Sequence, residues 1–176
     1  MTLVKNFLTH KEQIEMVQMC PDLGVDPGGF HRPKYKSGAQ APAIPEELIK
    51  KAQSAIDMVG GVPPINPDIC IVNFYNDTGR LGLHQDKDES RSSIEQGLPI
   101  ISMSIGDTAE FMFGDTRDKS KASKINLDSG DVLIFGGESR LLFHGISHLK
   151  PHTAPTWLKE ETGLRPGRLN LTFRQY

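Results

Sequence analysis

His84 and Asp86, separated by a single residue, form the segment of this sequence with the clearest chemical potential. In an extended chain, residues i and i+2 point to the same face, so an imidazole nitrogen and a carboxylate oxygen converge on one point. A second histidine would complete a two-histidine, one-carboxylate set, which binds non-haem Fe(II) and leaves three adjacent positions open. His144, in an apolar and strand-like segment, is the best candidate. The alternative is that His84 and Asp86 form a solvated surface pair.

A second pattern occupies residues 168–174, where polar and apolar side chains alternate with the period of a β-strand. The residues on the polar face are Arg168, Asn170, Thr172 and Arg174. The two guanidinium groups would lie about 13 Å apart along the strand. Arginine binds carboxylates through paired hydrogen bonds, so this face suits a dicarboxylate that also chelates a metal. The alternative is an edge strand with one solvated polar face.

Asn73 and Tyr75 share one face of a third strand-like segment, residues 69–75. Both side chains are able to donate hydrogen bonds to the same anionic cosubstrate. The signal is weak alone, because polar residues near strand ends commonly satisfy nearby backbone groups.

The composition bounds the class of protein. The 176 residues favour one domain, and 20 Lys and Arg against 22 Asp and Glu give a formal net charge of −2. This charge excludes nucleic-acid binding by bulk positive charge, although a local basic face remains compatible with it. The two cysteines, Cys20 and Cys70, exclude a disulfide framework and indicate a reducing compartment. We expect an intracellular protein of the nucleus, the cytoplasm or both, or of an organelle. No apolar run approaches the roughly 20 residues of a membrane span, so no membrane partner is expected.

The elements that must position these residues are helical first and β-rich afterwards. A capping-box pattern predicts a helix over Thr9–Cys20, and a 3.6-residue apolar period predicts another over Pro45–Val59. After Pro67, seven short strand-like segments follow at residues 69–75, 99–106, 108–114, 124–130, 131–137, 140–146 and 168–175. Short strands separated by turns predict a sandwich, a barrel or a jelly roll.

Three segments resemble the AlkB family of Fe(II)/2-oxoglutarate-dependent dioxygenases: Leu83–Glu89, Gly130–Arg140 with the following Phe143–Gly145, and Arg168–Arg174. They occur in the order and spacing of that family, and Pro27–Phe30 resembles its homologue-one branch. The resemblance implies a mainly β fold with N-terminal helices, built on a double-stranded β-helix (a jelly-roll-like core). It implies one dioxygenase domain over residues 1–176, with a helical buttress and a shortened substrate lid at 1–66 and the jelly roll at 67–176.

The resemblance also implies a role for each candidate site residue. The metal ligands, which are the catalytic residues, would be His84, Asp86 and His144. The 2-oxoglutarate residues would be Asn73, Tyr75, Arg168, Asn170 and Arg174, with Arg168 on the distal carboxylate and Arg174 near the keto-acid end. The substrate residues would be Asp88, Tyr35 and Arg140, with Asp88 reading the exocyclic amino group of a methylated base. The alternative for Asp88 is a solvated surface turn formed by Lys87, Asp88 and Glu89. Fe(II), 2-oxoglutarate and O2 would be the cofactor and cosubstrates.

The activity implied by this resemblance is oxidative demethylation of N-methylated bases in DNA or RNA, which releases formaldehyde, succinate and CO2. The partner would be single-stranded or flipped-base nucleic acid, bound by a monomer. Basic residues in 32–36 and 117–124 would contact phosphates. The lid departs from the family pattern, because Gly38 is followed almost directly by Ala43. Two alternatives remain: a 2-oxoglutarate-dependent hydroxylase or demethylase of a protein or small molecule, and a catalytically silent jelly-roll binding module.

Overall fold

The computed structural model describes residues 1–20, 43–76 and 78–176, together with the backbone of residues 25–26 and 29–30. The helices are α1 (His10–Met19), α2 (Glu46–Val59), α3 (Arg91–Glu95) and α4 (Thr156–Thr162). The strands are β1 (Thr2–Val4), β2 (Val25–Asp26), β3 (Gly29–Phe30), β4 (Ile69–Tyr75), β5 (Leu81–His84), β6 (Ile100–Gly106), β7 (Thr108–Gly114), β8 (Ser123–Leu127), β9 (Val132–Phe135), β10 (Phe143–Lys150) and β11 (Arg168–Arg174). The predicted substrate residue Tyr35, the basic residues of 32–36 and the shortened lid lie outside the described residues.

Two antiparallel sheets form the body of the fold. The larger sheet has the strand order β1-β9-β6-β11-β4, and the smaller has the order β5-β10-β7-β8. Apolar residues of β6 and β9 in the larger sheet pack against apolar residues of β7, β8 and β10 in the smaller one. This arrangement confirms the predicted mainly β, jelly-roll-like class.

The two-residue period of the strands divides the larger sheet into two faces. Leu169, Leu171 and Phe173 of β11 point to a core that they share with buried residues of α1, α2 and α4. Leu133 and Phe135 of β9 point the other way, into the core between the sheets. The polar face of β11 is therefore turned inward, and β11 lies in the middle of the sheet between β6 and β4. The edge-strand alternative is wrong.

Both predicted helices are confirmed, and their ends have local causes. At the start of α1 the Thr9 side chain accepts a hydrogen bond from the Glu12 amide (3.3 Å), and the Glu12 carboxylate accepts one from the Thr9 amide (2.8 Å). This reciprocal capping box satisfies two of the free N–H groups at the helix start. Helix α2 ends at Val59, and the capping residue Gly60 has a φ of +64°, which favours glycine. None of the helices in the described part of the chain is long and apolar enough to cross a membrane.

The structure departs from the sequence predictions where an element is short. Strand β1 has three residues and pairs with β9, so residues 1–66 contribute a strand to the larger sheet as well as two helices. Strand β10 begins at Phe143 rather than at residue 140, because residues 137–139 form a 3-10 turn that Arg140 caps. Strand β5 and helices α3 and α4 also lack a clear sequence pattern, since four to seven residues hold too few periods to recognise.

Candidate active site

A cavity of about 440 Å³ opens between the two sheets. The predicted site residues that line it are Asn73, Tyr75, His84, Asp86, Asp88, His144, Arg168, Asn170 and Arg174. They come from β4, β5, β10 and β11 and from the loop that follows β5. The tertiary structure therefore brings together three sequence motifs that are up to a hundred residues apart.

His84, Asp86 and His144 form a compact set of metal-ligand atoms at one end of this cavity. His84 pairs with His144 across β5 and β10, and Asp86 follows β5 by two residues. The Nε2 atom of His84 lies 3.4 Å from Asp86 Oδ1, and that of His144 lies 3.4 Å from Asp86 Oδ2. One ligand atom from each residue lies within 4.8 Å of the other two. The spacing suits two imidazoles and one carboxylate on one face of a divalent transition metal.

Backbone carbonyl groups orient both imidazole rings. The Nδ1 atom of His84 lies 2.9 Å from the Gly82 carbonyl, and that of His144 lies 3.0 Å from the Leu142 carbonyl. A carbonyl can only accept, so each Nδ1 donates its proton to a carbonyl, and each ring turns its Nε2 atom toward Asp86. The donor chemistry thus fits the Fe(II) ion that the motif predicts.

Asp86 is held in its charged form. Burial opposes ionisation, but contacts with His144 and His84 and the nearby charge of Arg174 together hold the pKa of Asp86 far below its usual range. Arg174 Nη2 lies 2.8 Å from Asp86 Oδ1. The contact with Asp86 in turn raises the pKa of His84 above its ordinary value. The carboxylate is therefore available as a metal ligand throughout the neutral range.

Arg168 carries a buried positive charge at the opposite end of the polar face of β11. The residue is 2% exposed, and burial lowers the pKa of the guanidinium to about 10. One nitrogen donates to Ser104 Oγ (2.9 Å), and the Tyr75 ring lies 5.6 Å away. Among the residues that the structure describes, no carboxylate pairs with Arg168, and its Nε has no hydrogen-bond partner. A buried, unpaired guanidinium is costly, so this position fits an anionic ligand.

The floor of the cavity between these two ends is a hydrogen-bonded polar ladder. Asn170 Nδ2 donates to Ser102 Oγ and to the Met103 carbonyl, each at 2.8 Å, and Thr172 Oγ1 donates to Asn170 Oδ1 (3.0 Å). Asn73 lies directly opposite Asn170 across β4 and β11. Both amide protons of Asn170 are thus used within the protein, which fits a role in holding the floor in place.

Known proteins resemble this chain in both sequence and structure. The sequence model of the 2OG-Fe(II) oxygenase superfamily matches residues 9–174. The solved structure of OsALKBH1 has a TM-score of 0.91 and 48% identity to this protein, covering 99% of this chain and 97% of that one. This chain belongs to the AlkB family of 2OG-Fe(II) oxygenases.

Curated relatives in the AlkB family are longer than this chain. The DNA N(6)-methyladenine demethylase ALKBH1C of Arabidopsis thaliana is 46% identical over 219 residues, covering 100% of this chain and 48% of its own length. The alpha-ketoglutarate-dependent dioxygenase AlkB of Escherichia coli is 39% identical over 134 residues, covering 76% of this chain and 56% of its own length. This chain therefore spans about half the length of the curated relatives it matches.

Arg140 lies behind the metal-ligand set instead of at the cavity. It is 3% exposed, donates to the Asp86 carbonyl (2.5 Å) and forms an ion pair with Glu89 (2.9 Å). Both terminal nitrogens are engaged, so the geometry does not favour its predicted contact with substrate. In this AlkB-family chain Arg140 instead holds the loop that carries Asp86.

Asp88 lies at the opening of the cavity, as the motif predicts. Its side chain is exposed and lines the cavity, while its backbone carbonyl accepts a hydrogen bond from the Tyr176 hydroxyl. The hydrogen bond fixes the backbone without using the Asp88 carboxylate. That carboxylate is placed to meet a ligand that enters the cavity.

Several residues of the site escape sequence reasoning. Glu89 reads as part of a solvated turn with Lys87 and Asp88, yet it is buried. Ser104, the hydrogen-bond partner of Arg168, could have been found from the two-residue period of β6, which pairs with β11. Phe135 and Phe111 flank His144, with ring centroids 4.8 and 5.8 Å from the imidazole. The two phenylalanines make an apolar wall beside the His144 ring. No pattern in the sequence indicates this wall.

Proposed function

We propose that this protein catalyses oxidative demethylation of N-methylated bases in nucleic acid, using Fe(II), 2-oxoglutarate and O2. The observation that carries the proposal is the buried Arg168 guanidinium, unpaired with any acid among the described residues, in the same cavity as His84, Asp86 and His144. One end of the cavity fits a metal and the other fits a carboxylate. A dicarboxylic keto acid matches both ends.

The side chains prepare this reaction by holding and orienting. His84, Asp86 and His144 would hold Fe(II) on one face, while Arg168 and Tyr75 would orient the distal carboxylate of 2-oxoglutarate. Bound Fe(II), 2-oxoglutarate and O2 supply the oxidation of the N-methyl carbon, with formaldehyde, succinate and CO2 as products. The polar floor and the phenylalanine wall fix the cosubstrate and exclude water from the metal side.

A basic groove beside the cavity supports a nucleic-acid partner. This groove, of about 260 Å³, is lined by Arg80, Lys119 and Lys124. It shares Leu81 and Ile146 with the main cavity, so a strand that follows the groove passes next to the opening. Cationic side chains along a groove are the usual contacts of a phosphate backbone.

A hydrogen bond connects the loop beside the basic groove to β5, the strand that carries His84. Arg117, in the loop that also carries Lys119, donates from Nε to the Leu83 carbonyl (3.1 Å), one residue before His84. Lys124 forms an ion pair with Glu110 (2.8 Å), whereas within the described residues Arg80 and Lys119 form none, which leaves them for phosphates. A base that leaves its stack at this point would enter the cavity next to the metal ligands.

The first experiment tests which methylated base is the substrate. The Arabidopsis relative is named a DNA N(6)-methyladenine demethylase, so N6-methyladenine in single-stranded DNA is the first substrate to test. Formaldehyde and succinate should be measured together on single-stranded DNA and RNA that carry N6-methyladenine, 1-methyladenine or 3-methylcytosine, with unmethylated strands and an Asp86→Asn variant as controls. We expect equal amounts of both products on at least one methylated strand.

Two other outcomes of the succinate and formaldehyde measurements would contradict the proposal. Succinate formed at the same rate with methylated and unmethylated strands, and no formaldehyde, would overturn the nucleic-acid proposal in favour of a protein or small-molecule substrate. No succinate under any condition would favour the silent binding module.

We also infer a single-domain monomer, which sedimentation of the purified chain tests directly. Its intracellular location stays a prediction.

A further inference from the structure

A buried acid lies next to the metal-ligand loop and takes no part in the proposed chemistry. The side chain of Glu89 is 2% exposed, although its neighbours Lys87 and Asp88 are exposed. Its two carboxylate oxygens meet two arginines: Oε2 lies 2.9 Å from Arg140 Nη2, and Oε1 lies 3.3 Å from Arg174 Nη1. Burial of a carboxylate is costly unless opposite charges lie beside it. The two arginines supply that charge at ion-pair distance, although within the described residues neither Glu89 oxygen accepts a well-aligned hydrogen bond.

The same two arginines hold Asp86. Arg140 donates from Nη1 to the Asp86 carbonyl (2.5 Å), and Arg174 Nη2 lies 2.8 Å from Asp86 Oδ1. Asp86, Arg174, Glu89 and Arg140 therefore form a closed ring of contacts. The ring joins three parts of the chain: the loop after β5, the 3-10 turn before β10, and the end of β11. It constrains both the backbone and the side chain of Asp86.

We propose that Glu89 is a positioning residue for the metal-binding carboxylate of Asp86, acting through Arg140 and Arg174. This inference rests on the metal site of the proposed function. The two negative charges of the carboxylates balance the two positive charges of the guanidinium groups within the ring, so neither guanidinium has Asp86 as its only anionic neighbour. Without the charge of Glu89, both arginines would have Asp86 as their nearest anion. They would then compete with the metal for its oxygens and turn the carboxylate from the histidines.

The competing explanation is that Glu89 only stabilises the fold. Loss of a partner from a buried ion-pair network lowers stability in either case, so stability alone does not distinguish the two roles. Metal affinity does, because a purely structural role predicts that the folded variant binds metal as the wild type does. The measurement must therefore report on the metal site and use protein that is shown to be folded.

Titration of the full metal-free chain with Co(II), followed by visible absorption, provides this measurement. We expect Glu89→Gln to weaken Co(II) binding roughly 10- to 100-fold, as losses of groups that support metal ligands do. The matched control is Glu95→Gln, which removes an exposed acid of α3 that pairs with Arg91 (2.7 Å). We expect this control to retain the affinity of the wild type. Thermal unfolding without metal gives the stability of each variant separately.

Another variant keeps the inference testable if Glu89→Gln does not fold. Glu89→Asp keeps the charge but is one methylene shorter, so it cannot span both arginines, and its Co(II) affinity should lie below that of the wild type. When Glu89→Gln does fold, the double variant Glu89→Gln, Arg140→Gln should lose less affinity than the product of the two single losses, because the residues act through one network.

Three results of the Co(II) titrations would contradict the positioning role of Glu89 or the metal site itself. Co(II) affinity and absorption unchanged from the wild type in folded Glu89→Gln or Glu89→Asp would overturn the positioning role and leave the proposed function intact. Additive losses in the double variant would overturn it as well. Failure of the wild type itself to bind Co(II) would overturn the metal site and with it the proposed function.

Discussion

His84 and His144 are direct partners in the antiparallel ladder of β5 and β10, and each directs its Nε2 atom at a different oxygen of Asp86, at 3.4 Å. The pairing places two residues that are far apart in sequence on the same face of one sheet. A register slip of one residue would move His144 to the other face and destroy the site. The ligand geometry therefore depends on strand register as much as on residue type.

The first prediction concerns this pair. His144→Ala should reduce Co(II) or Mn(II) affinity by more than about 100-fold and abolish succinate formation, since it removes a ligand and not a supporting group. The matched control is His148→Ala, in the same strand, whose exposed ring lies outside the cavity. Equal metal affinity in His144→Ala and the wild type, measured by titration, would remove His144 from the ligand set.

The second prediction concerns the buried cation. Arg168→Ala should raise the 2-oxoglutarate concentration that half-saturates turnover by about 10-fold or more, because a charge-assisted hydrogen bond contributes about 1.5–3 kcal/mol. Arg168→Lys should recover only part of this loss, since an ammonium group lacks the planar fork. Succinate formation at varied 2-oxoglutarate gives the values, with the exposed Arg91→Ala as control. Unchanged half-saturation in both Arg168 variants would contradict the assignment.

The third prediction concerns Asp88 at the opening of the cavity. Asp88→Ala should leave 2-oxoglutarate turnover in the absence of nucleic acid nearly intact, but reduce or redirect demethylation among methylated bases. The reason is that its carboxylate lines the opening and contacts no metal-ligand residue. Base preference should be measured on a mixed set of methylated strands, with Asp57→Ala, at an exposed position of helix α2, as control. A parallel loss of both activities would place Asp88 among the supports of the metal.

The fourth prediction concerns the basic groove. Binding of single-stranded DNA should weaken linearly with the logarithm of salt concentration, with a slope of about 0.7 per phosphate contact. Replacing Arg80 and Lys119 together with Gln should flatten this slope, whereas replacing Lys11 and Lys50, which are exposed on α1 and α2, should not. Fluorescence anisotropy of a labelled strand at several salt concentrations provides the slopes. Identical slopes for the two double variants would remove the groove from the interface.

The fifth prediction concerns the pH dependence of stability at the start of α1. Burial opposes the charge of Glu12, but hydrogen bonds from Lys51 and Thr9 lower its pKa in the folded state. A lowered folded pKa stabilises the fold above the unfolded value of about 4.3, and this contribution is lost as the pH falls through the folded pKa. Glu12→Gln keeps a capping group but loses the charge that pairs with Lys51 (2.5 Å), so it should cost about 0.5–1 kcal/mol at pH 7.

The same cost should shrink toward zero as the pH falls through the lowered folded pKa of Glu12, where the wild-type carboxyl becomes protonated as well. Urea unfolding at a series of pH values measures both limits. Glu15→Gln, which removes an exposed ion pair with Lys11 (3.5 Å), is the control and should show little pH dependence. A constant difference between Glu12→Gln and the wild type at all pH values would contradict the stabilising role of the Glu12 charge.

The residues that local rules govern were predictable from the sequence. The capping box at Thr9 and Glu12 and the glycine after α2 specify helix ends by contacts within a few residues. The two-residue alternation of 168–174 placed its arginines on one face, since the period of a strand is a property of the backbone. The spacing of His84 and Asp86 directed both ligands to one side for the same reason.

The tertiary structure decided the properties that depend on distant parts of the chain. Strand order made β11 central and turned its polar face into a cavity, because the helices cover the apolar face. Packing buried Glu89 and Arg140, which sequence reasoning placed on a surface turn and in a substrate contact. The sequence by itself determined which side chains could bind a metal and a carboxylate. Burial and strand register are sums over many non-local contacts, so only the folded chain decided which acids and bases meet around Asp86.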